Sequence, residues 1–401
     1  MTLARRTALV LIGLVLLSFN LRPAAVSVGP VLEEVRDALG MSGPEAGLLT
    51  SLPVLAFAVF GALAPAFARA VGVHRAAAFS LAAVVIGLGG RAATDHEVTF
   101  LLLSAAALAG MATANVLLPS LVKLHFPHRI GAATSVYTTA LAIGLTSAFL
   151  LTVPISHAYD SWRAGLGVWA LTALVALVPW LALATHDRHL EREGRSISFG
   201  EVARTRLGWA MALVFGLQSM QAYSIFGWFS QLWRDHGYAA GEAGAFVGIV
   251  AAVSIPMSLW LPGAVARRDN QVVLILSVLG CYLVGYGMLL VDAHTLALPA
   301  AVLIGIGCCI FPLVLTLIGL RARTPDGTAA LSGFTQSVGY LLAALGPFLV
   351  ATIYDATGSW TAPLWLLLAL VLPLMAVGAY VGRPAYLEDQ LRDPRAAAPS
   401  R

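Results

Sequence analysis

Charged residues are scarce in this chain of 401 residues: Asp, Glu, Lys and Arg together make up 11% of it, against about 25% in a soluble domain. Hydrophobic residues make up 59%, which is more apolar surface than a soluble core requires, so we expect a polytopic membrane protein. The net charge is only +4, and the basic residues lie in short loops, where they set orientation in a membrane. Nucleic-acid binding is therefore excluded as the function.

Cysteine is also rare. Cys281, Cys308 and Cys309 all lie in apolar segments, so neither a disulfide framework nor a thiolate metal site is predicted. The sequence lacks the Gly-x-Ser-x-Gly, His-Glu-x-x-His and Gly-x-x-x-x-Gly-Lys-Ser/Thr patterns of common hydrolases and nucleotide-binding enzymes. We expect a protein that is not an enzyme and that holds no cofactor and no metal.

Long apolar segments fill most of the chain. A membrane-spanning helix needs about 20 mostly apolar residues, and twelve segments meet that length. Gly and Pro recur within them, as in other membrane helices. The predicted spans are 7–31, 46–68, 76–93, 98–121, 131–154, 164–185, 207–232, 243–265, 271–291, 295–319, 328–353 and 361–382.

The loops between the spans differ in charge. Placing the N-terminus in the cytoplasm puts most loop Arg and Lys residues on the cytoplasmic side, as the positive-inside rule requires. We therefore predict a multi-pass protein of the plasma membrane with both termini in the cytoplasm. The opposite face keeps only Arg36, Arg91, Arg163 and Arg234.

The two halves of the chain resemble each other at an offset of 198 residues. Trp162 and Trp360 follow similar Tyr-Asp sequences at this offset, and Asn20 with Gln218 keeps it as well. The one extended polar connection lies between the halves. The predicted fold is all-α, with twelve transmembrane helices in two pseudo-twofold-related six-helix bundles. The predicted ranges are 1–185 for the first bundle, 186–206 for a cytoplasmic linker, 207–382 for the second bundle and 383–401 for a cytoplasmic tail.

Arg22 is the only ionisable residue between Thr7 and Val31. A charged residue inside a span is costly, about 2.5–3.5 kcal/mol on the most lenient scale, and usually faces a cavity or a partner. The alternative is that Arg22 extends its charged group to the membrane interface. Asn20 lies two residues earlier, so the two side chains diverge by about 200° on a straight helix. Pro23 follows and favours a kink.

Other polar side chains in the spans are candidates for solute contact. Gln218, Gln221 and Trp228 share one helix face, as do Gln336 and Tyr340. The alternative for the amides and hydroxyls is bonding between neighbouring helices, at about 0.6 kcal/mol each, and Trp228 fits a membrane-interface belt equally well. The predicted substrate-binding residues are Asn20, Arg22, Asn115, Tyr137, Gln218, Gln221, Tyr223, Trp228, Gln336 and Tyr340.

Acidic residues are absent from the central part of every predicted span, and the histidines lie in loops or at span ends, with His157 the deepest. Exchange of a proton against a cationic drug usually requires a buried carboxylate. An Arg-containing cavity without acids suits a small anion, or a polar neutral solute that bonds several amides. Protons are the candidate coupling ion, and they would use a group at the edge of the cavity or the substrate itself.

Several motifs resemble the cyanate/nitroimidazole permease (CynX/NimT) branch of the major facilitator superfamily. They cover nearly the whole chain and comprise Asn20-Leu21-Arg22-Pro23, Val28-Gly29-Pro30, Gly47-Leu48-Leu49-Thr50-Ser51-Leu52-Pro53, Asn115 with Pro119, Lys123, Phe126-Pro127, Gly216-Leu217-Gln218-Ser219 and Ser332-Gly333-Phe334-Thr335-Gln336-Ser337-Val338-Gly339-Tyr340. The resemblance implies two six-helix bundles, alternating access and a small anionic or compact polar substrate. In the loop between spans two and three, Arg69 replaces the acid usual in the superfamily.

The leading hypothesis is a secondary transporter or facilitator that moves a small organic or inorganic anion, with Arg22 as the charge anchor. Its expected partners are that small-molecule substrate, the lipid bilayer and protons, and a monomer is expected. The runner-up is an exporter of neutral or weakly charged toxic compounds such as nitroaromatic drugs. A transporter-like receptor without flux is a third interpretation, although the short linker and tail offer no signalling module.

Overall fold

The computed structural model describes residues 3–41, 43–185 and 197–391. Within these ranges the chain forms helices joined by short connections, and no β-strand occurs in them. Residues 186–196 of the predicted linker and 392–401 of the predicted tail lie outside the described residues. The first half contains α1 (Leu3–Val26), α2 (Leu32–Leu39), α3 (Gly43–Ala56), α4 (Ala62–Val71), α5 (Val73–Ala93), α6 (Glu97–His125), α7 (Ile130–Ala158) and α8 (Trp162–Ala184), with a 3₁₀ turn at Gly29–Val31 and a π-helical turn at Phe57–Gly61.

The second half repeats this series of long helices. Its short elements are the linker helix α9, which starts with a capping box between Ser198 and Glu201, and the tail helix α19. The elements are α9 (Phe199–Val202), α10 (Arg206–Asp235), α11 (Ala240–Ala252), α12 (Ser254–Ala266), α13 (Val272–Asp292), α14 (Ala297–Cys308), α15 (Ile310–Leu320), α16 (Pro325–Ala343), α17 (Leu345–Thr357), α18 (Thr361–Val381) and α19 (Leu387–Leu391).

Eleven helical segments of the described chain are long and apolar enough to cross a membrane. The remaining predicted span is α10, which has 30 residues and is long enough to cross, but its central Gln and Ser residues lower its hydropathy. The π-helical turn after α3 follows Pro53 by four residues, and the second span continues through it to Val71. The predicted all-α fold with twelve spans is confirmed.

The described chain divides into two compact units. The first comprises Met1–His128 and Val136–Ser196, and the second comprises Arg129–Ser135 and Ile197–Arg401. The first residues of α7 therefore cluster with the second unit, where a Cβ on Gly131 would meet the Cβ of Ala266 at 2.5 Å. The division of the chain at the linker stays a prediction.

The connection before the last helix of each half shows the internal repeat in the backbone. Asp160 adopts a φ of 45° before α8, and Gly358 adopts a φ of 62° before α18. These residues lie 198 apart, the offset that the sequence predicts for the duplicated halves. Both conformations are left-handed, a region that glycine and, less readily, aspartate adopt. The same turn therefore recurs at the same place in each half.

Close helix packing explains one of the motifs that carried the family resemblance. A Cβ on Gly216 of α10 would lie 3.0 Å from the carbonyl oxygen of Gly339 on α16, and a Cβ on Gly339 would lie 3.1 Å from the Gly216 nitrogen. Small residues let membrane helices approach at backbone distance. These two glycines thus hold α10 and α16 together beside the candidate ligands Gln218 and Gln336.

Candidate functional site

Asn20 connects two helices of the first unit. Its side-chain nitrogen donates to the carbonyl oxygens of Leu16 (2.8 Å) and Thr172 (3.2 Å), and its oxygen accepts the Thr172 hydroxyl at 2.6 Å. Thr172 lies on α8, and Asn20 is buried. The Asn20 amide therefore already has partners in the protein and ties α1 to α8.

Arg22 lies on the other side of α1. It is half-buried, whereas Asn20 and Leu21 are enclosed. The angular separation of about 200° that the helix geometry predicts for Asn20 and Arg22 matches these different surroundings. Of the two side chains, Arg22 is the one that is not enclosed within the first unit.

Pro23 leaves one backbone carbonyl of α1 without its helical hydrogen bond. Because proline has no N–H, the carbonyl of Phe19, four residues earlier, loses its helical donor. A Cβ on Gly144 of α7 would lie 2.0 Å from that Phe19 oxygen. A hydrogen of Gly144 therefore faces this carbonyl, a contact of the weak Cα–H···O kind. The helix pairs α1–α8 and α1–α7 are thus fixed next to Arg22.

Asn115 and Tyr137 are enclosed in the first unit. Asn115 is buried on α6, and Tyr137 on α7 is among the largest fully buried side chains. Both lie on the long central stretches of their helices, away from the ends.

Both the nitrogen and the oxygen of the Gln221 side chain, in the second unit, are hydrogen-bonded to neighbouring helices. Its nitrogen donates to the Leu367 carbonyl of α18 at 2.8 Å, and its oxygen accepts the Tyr286 hydroxyl of α13 at 2.6 Å. One amide therefore joins three helices. Its predicted role as a substrate ligand competes with these bonds.

In the described part of the chain, the side-chain nitrogen of Gln218 has a hydrogen-bond partner but its side-chain oxygen has none. Its nitrogen donates to the Ser219 hydroxyl at 3.1 Å. Its oxygen is buried and has no hydrogen-bond partner in the described part of the chain. An acceptor buried without a donor costs about 1–3 kcal/mol, and the predicted role of Gln218 as a substrate ligand stays a prediction.

The predicted aromatic ligands form a group on α10 and α16. The rings of Tyr223 and Tyr340 lie 6.3 Å apart, and Tyr340 packs edge-on against Phe215 at 5.0 Å. Gln336, one turn before Tyr340, donates to the Ser332 hydroxyl at 2.8 Å. Trp228 lies apart from this group, with its ring 6.5 Å from that of Trp360.

Arg91 is a buried cation whose burial the sequence did not reveal. The sequence placed it at the outer end of the predicted span 76–93, and in the structure it lies in the last turn of α5 and is 1% exposed. It donates to the Ser27 hydroxyl at 2.9 Å and to the Ala24 carbonyl at 3.4 Å. Hydropathy places a residue along a helix axis but does not say which face it occupies, so the burial was not visible.

The structure buries a histidine that the sequence did not single out. His157 is exposed at the end of α7, whereas His74 at the start of α5 is fully buried. The Nε2 atom of His74 lies 2.8 Å from the Nε2 atom of His125 at the end of α6. The His74 ring also packs near Trp180 of α8. The sequence offers no signal for this pair, because its members lie 51 residues apart.

Helix α19 in the predicted tail binds to the end of the second unit. The Glu388 carboxylate accepts the backbone N–H groups of Arg323 (2.8 Å) and Thr324 (3.1 Å), directly before α16. The Asp389 carboxylate pairs with the guanidinium of Arg323, and the Gln390 side chain accepts the Leu207 N–H of α10 at 3.0 Å. The first turns of α10 and α16 are thus joined through α19.

Arg321 is a buried cation at the same end of the second unit. Its Nε donates to the Val381 carbonyl at 3.0 Å, and a terminal nitrogen donates to the side-chain oxygen of Gln271. Burial lowers the pKa of this guanidinium from its ordinary value. Arg321 joins the ends of α15 and α18, which is a structural role.

Two helical units with polar side chains at the middle of their spans define a polytopic membrane transporter. The sequence pattern of the major facilitator superfamily matches residues 9–347. The chain belongs to this superfamily, and its polar span residues are the candidates for binding a small-molecule substrate.

Curated relatives cover nearly the whole chain. An uncharacterized transporter, YycB of Bacillus subtilis (strain 168), is 36% identical over 94% of each chain. The 2-nitroimidazole transporter of Escherichia coli (strain K12) is 31% identical over 95% of this chain and 98% of its own, and the cyanate transport protein CynX of the same organism is 28% identical over 87% and 91%. The resemblance to the cyanate/nitroimidazole branch is confirmed.

Solved structures of the superfamily share the fold. The proton:xylose symporter XylE superimposes with a TM-score of 0.74 at 14% sequence identity, over 96% of this chain and 97% of its own. At this identity the likeness applies to the fold alone.

Proposed function

We propose that this transporter moves a small organic or inorganic anion across the plasma membrane by alternating access, with Arg22 as the charge anchor. The observation that carries the proposal is Arg22 itself, the single charged side chain of the span Thr7–Val31, which is half-buried. In the described part of the chain, every Asp and Glu on a spanning helix lies near an end of that helix. A solute that enters the span region therefore meets the positive charge of Arg22 away from the acidic residues at the helix ends.

The remaining ligands differ in how free their polar atoms are. Gln218 donates one of its two side-chain N–H groups to Ser219, and the second is the donor proposed to meet the anion; Gln336 lies beside Tyr340 on α16. Asn20 and Gln221 already bond neighbouring helices, so their part in solute binding is to support the site. Asn115, Tyr137, Tyr223 and Trp228 complete the set of candidate ligands.

The proposal includes the orientation of the protein in the membrane. Bundles 1–185 and 207–382 are joined by a cytoplasmic linker, 186–206, and both termini are cytoplasmic, as are the tail residues 383–401. The support is the excess of Arg and Lys in the loops at one end of the spans.

Flux in proteoliposomes tests the anchor. Uptake of labelled cyanate is compared between the wild type, Arg22→Ala and Arg22→Lys. A hydrogen bond to a charged group contributes about 1.5–3 kcal/mol, so we expect Arg22→Ala to lose about tenfold to hundredfold in apparent affinity. Arg22→Lys keeps the charge but not the planar fork that binds an anion through two N–H groups, so an intermediate value is expected.

Arg36→Ala serves as the matched control, because Arg36 is exposed on the short helix α2 of the same unit. It removes one positive charge outside the spans and should leave the flux unchanged. Undiminished anion flux in both Arg22 variants would overturn the assignment.

A second candidate function is export of neutral or weakly charged toxic compounds. The relative named as a 2-nitroimidazole transporter and the aromatic group of Phe215, Tyr223 and Tyr340 favour it, because flat nitroaromatic rings stack on such side chains. The two functions are separated by comparing the growth of an expressing strain and of a deletion strain in the presence of toxic concentrations of 2-nitroimidazole. Equal tolerance in both strains counts against export.

A further inference from the structure

The end of α1 beyond Arg22 is bonded to a buried arginine. Arg91 of α5 donates from one terminal nitrogen to the Ser27 hydroxyl at 2.9 Å and from the other to the Ala24 carbonyl at 3.4 Å. Its Nε has no hydrogen-bond partner in the described residues, and the side chain is 1% exposed. Both acceptors lie within five residues of Arg22 along the chain.

One of these bonds satisfies a backbone carbonyl at the C-terminal end of α1. The last four carbonyls of a helix have no helical donor, and α1 ends at Val26. The Pro23 carbonyl receives the Ser27 N–H at 3.1 Å, and the Ala24 carbonyl receives the Arg91 guanidinium. A cation at a helix C-terminus is also favoured by the helix dipole.

The charge of Arg91 has no carboxylate partner in the described part of the chain. Burying a cation without an anion is costly, and the carbonyls of a helix end can be satisfied by neutral donors or water instead. A cation at this position therefore points to a purpose beyond closing the helix end. Its acceptors Ala24 and Ser27 lie within five residues of Arg22, the residue that receives the anion in the proposed function.

We propose that Arg91 is a positioning residue for the anion anchor, and this rests on the proposed function of Arg22. Asn20 with Thr172 of α8 and Phe19 with Gly144 of α7 hold α1 before Arg22 in the chain. Arg91 bonds Ala24 and Ser27 in the turn that follows Arg22, beyond the proline that interrupts the helical hydrogen bonds.

Equilibrium binding to the purified full-length protein tests this role. The dissociation constants of cyanate and benzoate, an inorganic and an organic anion, are measured by calorimetry for the wild type, Arg91→Met and Arg91→Lys. A displacement of about 1 Å at a site can cost about hundredfold, so we expect Arg91→Met to weaken anion binding by about tenfold to hundredfold. Arg91→Lys should restore part of this loss.

A second background separates positioning from a general effect on structure. In Arg22→Lys the anchor has lost its two-pronged geometry, so the added effect of Arg91→Met should be clearly smaller than in the wild type. An equal factor in both backgrounds would overturn the positioning role. If Arg91→Met does not fold, the dissociation constants of both anions are measured for Ser27→Ala and Arg91→Lys instead. A severalfold loss of affinity in both supports the role, and wild-type affinity in both overturns it.

The two proposals fail in different ways. If Arg22→Ala binds both anions like the wild type, or if neither anion binds the wild type, the anion function falls and the role of Arg91 falls with it. If Arg22→Ala loses binding while Arg91→Met and Ser27→Ala keep it, only the positioning role is overturned.

Discussion

Replacing Gly144 by alanine places a methyl group against the backbone of α1 beside the proposed anion anchor. The new Cβ would lie 2.0 Å from the Phe19 carbonyl oxygen and 2.9 Å from the Phe19 carbonyl carbon. Contacts of a Cβ with backbone atoms below 3.0 Å are essentially never found, so α1 must move away from α7 by about 1 Å. The obstacle is backbone rather than a flexible side chain, which leaves no local way to relieve it.

Two opposing terms determine the size of the effect. Alanine favours a helix over glycine by about 1 kcal/mol, whereas overpacking a close contact costs about 1–3 kcal/mol. Because the clash involves backbone, we expect the upper end of that cost and a net loss of about 1–2 kcal/mol in the free energy of unfolding. Arg22 lies three residues beyond Phe19, and a displacement of about 1 Å can reduce transport about hundredfold.

Thermal unfolding in detergent and flux in proteoliposomes measure these two effects. Gly89→Ala and Gly167→Ala are matched controls in the same unit, because a Cβ at either position meets its nearest neighbour at an ordinary 3.6 Å. Both controls should keep wild-type flux and gain up to about 1 kcal/mol in the free energy of unfolding, because alanine favours a helix over glycine. If Gly144→Ala behaved like the controls, the close approach of α1 and α7 at Phe19 would be refuted.

Three further predictions concern the free energy of unfolding, measured by thermal unfolding in detergent. Tyr286→Phe removes the hydroxyl that donates to Gln221 and should cost about 1–3 kcal/mol, because the buried amide oxygen loses its donor. Glu388→Ala removes the acceptor for the N–H groups before α16 and should cost about 1 kcal/mol, as the loss of a helix cap does. Asp160→Gly should stabilise and Gly358→Ala destabilise, each by about 1 kcal/mol, because both positions are left-handed.

The first two of these changes have a control in the chain. Tyr282→Phe removes a hydroxyl that bonds only the Cys308 sulfur, at 3.3 Å, and should cost less than Tyr286→Phe. Gln390→Ala removes the acceptor of the Leu207 N–H but leaves Glu388 in place. Equal stability of the wild type and Gly358→Ala would contradict the assigned backbone conformation.

The spans and the repeat were predictable from the sequence because hydropathy and length decide where a chain crosses a membrane. The offset of 198 residues extends from Trp162 and Trp360 to the left-handed turn at Asp160 and Gly358. The divergence of Asn20 and Arg22 follows from helix geometry alone.

Contacts between distant helices were not predictable. Arg91 was placed at the end of a predicted span, but its burial depends on its bonds to the end of α1, which the sequence does not reveal. Gln221 had the spacing expected of a ligand, yet its amide bonds α13 and α18. The pairing of His74 with His125 and the approach of Gly144 to Phe19 depend on how helices pack, which one sequence does not specify.

The central claim is that the Arg22 guanidinium binds the transported anion. The most direct measurement is the dissociation constant of cyanate for the purified protein, compared between the wild type and Arg22→Met, which keeps much of the side-chain length but not the charge. Loss of a charge-assisted bond of about 1.5–3 kcal/mol predicts binding weaker by about tenfold to hundredfold. Equal dissociation constants for the two proteins would contradict the claim.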